Sequence, residues 1–199
     1  MAHLTFITSN AAKVALAAER LRPYGVSVEQ ASLELEEVQS FDVVEVATNK
    51  ARHAMSTLKS PFFVEDSGFY INALKGFPGP LIKPIIQTLG EDKLTGLVGP
   101  NESRDVEVLS VLVLANPIDG TINTFQGSYL GTLATQPRGD HTRGWLLSRL
   151  FIPQGWNATL AELNETEWGQ FLDDFRQNDH FDKLGKWLSE QEKQTSHHP

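Results

Sequence analysis

Residues 61–80 read PFFVEDSGFYINALKGFPGP, and the way this stretch divides decides the fold. The apolar run Phe62, Phe63, Val64 predicts a buried strand, and the Gly- and Pro-rich GFPGP of residues 76–80 predicts a turn or loop. Between them stands EDSG, two adjacent carboxylates (Glu65, Asp66) followed by Ser67 and Gly68, expected at the strand's end. Successive side chains of a strand point to opposite faces, so at least one carboxylate is directed into packed surroundings. A carboxylate there is costly unless a cation compensates its charge.

Upstream of this stretch, strand and helix patterns alternate. LTFITS (residues 4–9) predicts a strand, and NAAKVALAAERLRPYG a helix that Pro23 and Gly25 terminate. VSVEQASLE (residues 26–34) alternates as a second strand. In FDVVEVATNKARHAMSTLK the apolar Val44, Ala47, Ala51, Ala54, Met55 and Leu58 keep helical spacing, which predicts an amphipathic helix packed on a sheet. Downstream, LIKPIIQTLG and EDKLTGLVG predict short helices. VEVLSVLVLA and INTFQGSYLGTLA, joined through Asp119-Gly120, predict a long antiparallel hairpin. Residues from Leu160 to about Glu190 read as mostly helical, with a frayed EQEKQTSHHP tail. The pattern is α/β, and no repeat or linker divides residues 1–199.

Composition bounds the function. The 199 residues, 40% of them hydrophobic, suffice for one domain with a sizeable core. A formal net charge of −8 argues against a nucleic-acid duplex as partner, since phosphate backbones are bound through excess Lys and Arg. With no cysteine there are neither disulfides nor thiolate metal sites, in keeping with a reducing compartment. No run approaches the roughly 18 apolar residues of a membrane span, and the N-terminus lacks a signal-peptide pattern, so the expectation is a cytoplasmic protein without a membrane.

Several residues stand where a ligand could use them. In TSNAAK, Thr8 and Ser9 end the first strand, Asn10 can cap the helix, and Lys13 lies one turn inside it. Free N–H groups at a helix N-terminus attract anions, and the lysine adds a full charge; the ordinary alternative is a cap beside a solvent-facing lysine. Lys50 lies at the edge of the second helix's apolar stripe, from where it could reach over the strand ends or snorkel to water. Glu36 and Glu37 close an acidic edge. Together, two lysines, a helix N-terminus and nearby carboxylates are what a magnesium-dependent enzyme acting on a polyphosphate requires. Ser67 and Gly68 would let the chain turn close to the ligand. Trp156, Trp187 and Phe181 read as aromatic core, and His141 and His180 lack metal-ligand spacing and receive no role.

TSNAAK, EEVQ, EVATNKA, VEDSGFYINALKGFPGPLIK, FQGSYLGTL, PRG and AEL occur in the order and at about the spacing of the inosine triphosphate pyrophosphatase family, which residues 4–163 therefore resemble. The resemblance implies a single domain over residues 1–199: an elongated mixed β-sheet with flanking helices, two lobes around a nucleotide cleft, assembled as a homodimer. It implies Mg2+-dependent hydrolysis of a nucleoside triphosphate to monophosphate and pyrophosphate. By position, Thr8, Asn10, Lys13 and Lys50 match phosphate-binding residues, Ser67 and Gly68 lie near the phosphates, and Glu37 and Asp66 match metal ligands. Asp66, flanked by Glu65 and served by Lys50, matches the acid that helps activate water.

The other half of the family's pattern is altered. Where the family has FGYDP or FGWDP, this chain reads HTRGWLLSRLFIP; Trp145 takes an aromatic place, and either Ser148 or Leu146 replaces the aspartate. Where a lysine and SHR are expected, an ungapped alignment offers Trp168, Leu172, Asp173 and Asp174, and a gapped one Asn178, Asp179 and His180 for SHR. Base-directed donors have become acceptors or apolar groups. The expectation is a base specificity moved away from inosine and xanthosine, with stacking on Trp145; the alternative is a nucleotide-binding protein without turnover.

Overall fold

A computed structural model describes residues 2–36, 38–140, 145–176 and 179–195. Seven strands form one mixed sheet: β1 (Ala2–Ile7), β2 (Val26–Ala31), β3 (Phe62–Ile71), β4 (Pro78–Gly79), β5 (Asp105–Asn116), β6 (Thr121–Leu133) and β7 (Phe151–Pro153), in the order β2-β1-β3-β5-β6-β7 with β4 paired to β3. β1 is parallel to both β2 and β3, and the remaining pairs are antiparallel. The helices are α1 (Ala11–Leu21), α2 (Val43–Met55), α3 (Ile82–Leu89), α4 (Glu91–Gly96), α5 (Glu165–Arg176) and α6 (His180–Thr195). This is the expected mixed sheet with flanking helices. None of the described helices is long and apolar enough to cross a membrane.

Alternation along the strands sorts the cores. Leu4, Phe6, Phe63, Leu112 and Leu114 point to one face, where α1 and α6 add Ala17, Leu21, Phe181 and Leu184. Ile7, Phe62, Val64, Val111, Val113 and Ala115 point to the other, where α2 adds Val43, Ala47, Ala51 and Ala54. Farther along β3 and β5, the first face continues through Phe69, Ile71, Val106 and Val108 into a second cluster with Leu94, Phe151 and Phe171. The stripe of α2 is rotated slightly from expectation: Val43 and Val46 are buried while Val44 is half-buried. Phe181 is buried and Trp187 meets Phe125 edge-on, which agrees with reading both as core.

Several boundaries differ from the sequence reading: β1 spans Ala2–Ile7 rather than residues 4–9, and β2 stops at Ala31 rather than residue 34. EDSG does not end its strand: β3 runs on to Ile71 and pairs with β5 over its whole length, from Phe62↔Ala115 to Ile71↔Val106. Nor do Ser67 and Gly68 make a turn. Gly68 is extended, and a Cβ there would stand 2.5 Å from the Tyr70 ring, so close packing of that ring is what requires a glycine. Within GFPGP, Pro78 and Gly79 form β4 on the edge of β3 rather than a free loop. At the C-terminus α6 continues to Thr195, beyond the expected fraying point, because its Phe181, Leu184, Trp187 and Leu188 pack against the α1 face.

Candidate active site

What does end at EDSG is the neighbour. β1 pairs with β3 only through Thr5↔Phe62 and Phe6↔Phe63, and β4 rejoins the same edge at Phe69↔Gly79. The edge of β3 carrying Glu65, Asp66 and Ser67 is therefore free of a partner strand, just beyond the C-terminal end of β1 and beside the N-terminus of α1. Part of that edge is satisfied locally, since the Ser67 N–H donates to Asp66 Oδ1 at 3.2 Å.

Glu65 and Asp66 take opposite faces. Glu65, with its side chain 8% exposed, lies on the α1 and α6 face: Lys13 Nζ is 3.4 Å from Oε2, and His180 Nε2 is 3.3 Å from Oε1. Burial pushes its carboxyl up, but the Lys13 ammonium and the His180 imidazole outweigh burial and hold it at about 2. Asp66 lies on the α2 face, where Lys50 Nζ donates to Oδ2 at 3.2 Å. Lys50 shares the buried stripe of α2 with Val46, Ala47 and Ala54, so its stem is packed and its ammonium is directed to Asp66.

At the β1–α1 junction Asn10 Oδ1 accepts from the N–H groups of Ala12 (3.0 Å) and Lys13 (3.3 Å), and Thr8 Oγ1 accepts from Asn10 N–H at 3.1 Å. Two of the amides expected to be free for an anion are thus capped; Lys13 supplies the positive charge there. Ser67 Oγ pairs with Ser110 Oγ at 2.9 Å on the Glu65 face. Glu37 lies outside the described residues, and Asn178 does too.

A cleft of about 420 Å³ adjoins this site on the α6 side, lined among others by Tyr129, Gln154, Trp156, Asp174, Asp179 and Lys183. Tyr129 and His180 connect the two: Tyr129 Oη is 3.3 Å from His180 Nδ1. Trp145 is half-buried beside the cleft and meets Trp168, Phe171 and Phe175 of α5 edge-on, with centroids 6.3–6.4 Å apart. Trp168 is therefore part of an aromatic cluster, Ser148 is fully buried, and Leu146 is exposed. Neither alignment puts an acid beside Trp145. Asp179 starts α6 by accepting from Asp182 N–H (2.6 Å) and lies 3.6 Å from the buried Arg20; burial pushes its carboxyl up against the pull of that cation.

Residues 4–171 match the sequence model of the Ham1 family. The chain belongs to the Ham1 family. It is 38% identical over 162 residues to a dITP/XTP pyrophosphatase of Methanopyrus kandleri, covering 81% of this chain and 85% of that protein. It is 31% identical over 192 residues to an inosine triphosphate pyrophosphatase of Yarrowia lipolytica, covering 96% and 98%. The fold matches the solved structure of a HAM1 protein from Coxiella burnetii with a TM-score of 0.77 at 24% identity, over 96% of this chain and 100% of that one.

Within this Ham1 chain the structure brings Lys13, Lys50, Glu65 and Asp66 to one stretch of β3. It also adds His180, which sequence reasoning passed over because its partners are 115 residues away on β3 and 51 away on β6. One signal was available: Gly127, in the FQGSYLGTL motif. A Cβ at Gly127 would stand 3.0 Å from both the backbone nitrogen and Nδ1 of His180, so the glycine leaves room for the histidine to lie close to the sheet.

Proposed function

We propose that this Ham1 protein is a nucleoside triphosphate pyrophosphohydrolase that uses Mg2+ and releases nucleoside monophosphate and pyrophosphate. The observation that carries the reading is the pairing of two carboxylates with two lysines at the open edge of β3, Lys13 with Glu65 and Lys50 with Asp66. The names of the M. kandleri and Y. lipolytica relatives support the same activity. Lys13 and Lys50 would hold the phosphates, with Thr8 and Asn10 setting the start of α1 and Ser67 and Gly68 shaping the strand between. Their ammonium groups would neutralise charge developing on the departing pyrophosphate. Asp66, partly exposed, would orient the attacking water and accept its proton. Glu65 stays ionised at any working pH and would serve by holding Lys13 rather than by moving a proton.

The residues fit a hard divalent cation. Asp66 offers carboxylate oxygen at a part-exposed position, and Glu37 is a second candidate. Mg2+ is typically held by one or two carboxylates together with substrate phosphate and water, a role Asp66 and Glu37 would fill. When bound, the ion would polarise the phosphate oxygens and lower the pKa of water.

For the base, the carboxylate of Asp174 in the cleft favours a nucleotide with an exocyclic amino group over inosine or xanthosine. The alternative is weak discrimination by stacking on Trp145, whose ring packs on Trp168, Phe171 and Phe175 beside the cleft. The paired site on β3 favours turnover over simple nucleotide binding, because a binding protein has no use for a water-directed acid. Pyrophosphate release from a panel of canonical, deaminated and pyrimidine triphosphates with Mg2+ tests the reading. Silence across the panel would leave the protein a nucleotide binder.

A further inference from the structure

We propose that His180 is a positioning residue: from the first turn of α6 it holds the second oxygen of Glu65 and thereby fixes where Lys13 presents its ammonium. The inference rests on the reading of Lys13 as a phosphate-binding cation. Glu65 stands between two partners, Lys13 on Oε2 at 3.4 Å and His180 on Oε1 at 3.3 Å, in a position 8% exposed. A carboxylate held by one flexible lysine could rotate about its last bond; held at both oxygens, its plane is set. Lysine has a long, mobile stem, so a fixed counter-charge lowers the ordering cost of binding phosphate.

The histidine is itself fixed from three directions. Tyr129 Oη lies 3.3 Å from its Nδ1, and Gly127 leaves room for its ring on the sheet. The preceding Asp179 ties the start of α6 to Arg20, two turns along α1 from Lys13, and Arg20 Nη2 donates to Leu172 O at 2.7 Å. Asp179 and His180, at the start of α6, therefore hold α1 at two places: directly through Arg20, and through Glu65 at Lys13. Substrate phosphate need not touch His180 for this to matter.

The test combines His180→Ala and His180→Gln with Lys13→Ala. In the otherwise unaltered enzyme H180A should lower kcat/KM for its best triphosphate about tenfold, chiefly in KM, through loss of the buried 3.3 Å contact to Glu65 Oε1. H180Q, whose amide can still donate to Glu65, should restore most of it. In a Lys13→Ala background H180A should cost nothing further, because its effect passes through Lys13. An equal loss in both backgrounds, or no loss in the first, overturns the proposal. A second readout does not depend on turnover: the rate at which an amine reagent labels Lys13, followed by peptide mass spectrometry. Faster labelling in H180A supports the positioning role and an unchanged rate overturns it. This holds even if the wild-type protein hydrolyses no triphosphate and the proposed function itself fails.

Discussion

Glu65 and Asp66, adjacent in sequence, stand on opposite faces of β3, and each is met by a lysine from a different helix: Lys13 of α1 at 3.4 Å and Lys50 of α2 at 3.2 Å. A strand that alternates its side chains can serve two layers of helices from one dipeptide. The two carboxylates consequently differ in what they can do. Glu65 is enclosed and its carboxyl is held well below the usual glutamate range, while Asp66 keeps access to solvent.

Glu65 ties stability to acid. Its carboxyl sits at about 2 in the fold against 4.5 for a free glutamate. Because the folded value is the lower one, the unfolded chain takes up the proton first as pH falls. The stabilisation is complete above about pH 4.5, declines below it and is gone below about pH 2. Glu65→Gln should therefore be less stable at neutral pH and lose stability less steeply between about pH 4.5 and 2. Urea midpoints across that range check this; a slope equal to that of the wild type would contradict it.

The two lysines should separate by their effect on folding. Lys13→Ala and Lys50→Ala should each lower kcat/KM for a triphosphate by about ten- to a hundredfold. Lys13→Ala should in addition cost about 1–3 kcal/mol of stability, since it leaves the enclosed Glu65 with the His180 imidazole as its remaining close partner. Lys50→Ala should cost less, because Asp66 is 21% exposed and water can replace the ammonium. Denaturant unfolding of both variants beside their kinetics measures the difference.

Gly127 is the contact that sequence reading overlooked. Gly127→Ala places a methyl 2.9 Å from Tyr129 Oη and 3.0 Å from the backbone nitrogen of His180. It should destabilise by about 1–3 kcal/mol, the usual range for overpacking, and lower activity as His180 is displaced. Unchanged stability and turnover would show that α6 is free to shift.

Most of the sheet and helices were legible because their signals are local: the periodicity of VEVLSVLVLA, Asn10 as a cap, the apolar stripe around Lys50. EDSG misled as to its place, since a strand end and a strand whose neighbour ends look alike in sequence; the run of pairing with β5 is a long-range fact. His180 was passed over for the same reason, its partners on β3 and β6 being distant in sequence. Trp145 was visible as an aromatic, but its packing against Trp168, Phe171 and Phe175 depends on how α5 returns to the sheet.

Base preference follows from the cleft beside Tyr129. An oxo base facing the Asp174 carboxylate would leave acceptors opposed, at about 1–3 kcal/mol for each unpaired group, or roughly tenfold or more in kcat/KM. Rates for inosine, xanthosine, adenine and cytosine triphosphates compared side by side should place the amino-bearing bases ahead. A clear preference for inosine triphosphate would contradict the altered-pocket account.

The central claim is that Asp66 carries hydrolysis at this site, and Asp66→Asn tests it most directly. The amide is nearly isosteric but neither binds a divalent cation as a carboxylate does nor accepts a proton readily. With the best triphosphate and Mg2+, chromatography of the products should show equal amounts of nucleoside monophosphate and pyrophosphate from the wild type. From the variant it should show at least about a hundredfold less of both, with melting little changed. Near-normal release of pyrophosphate by D66N would remove Asp66 from the mechanism and contradict the account.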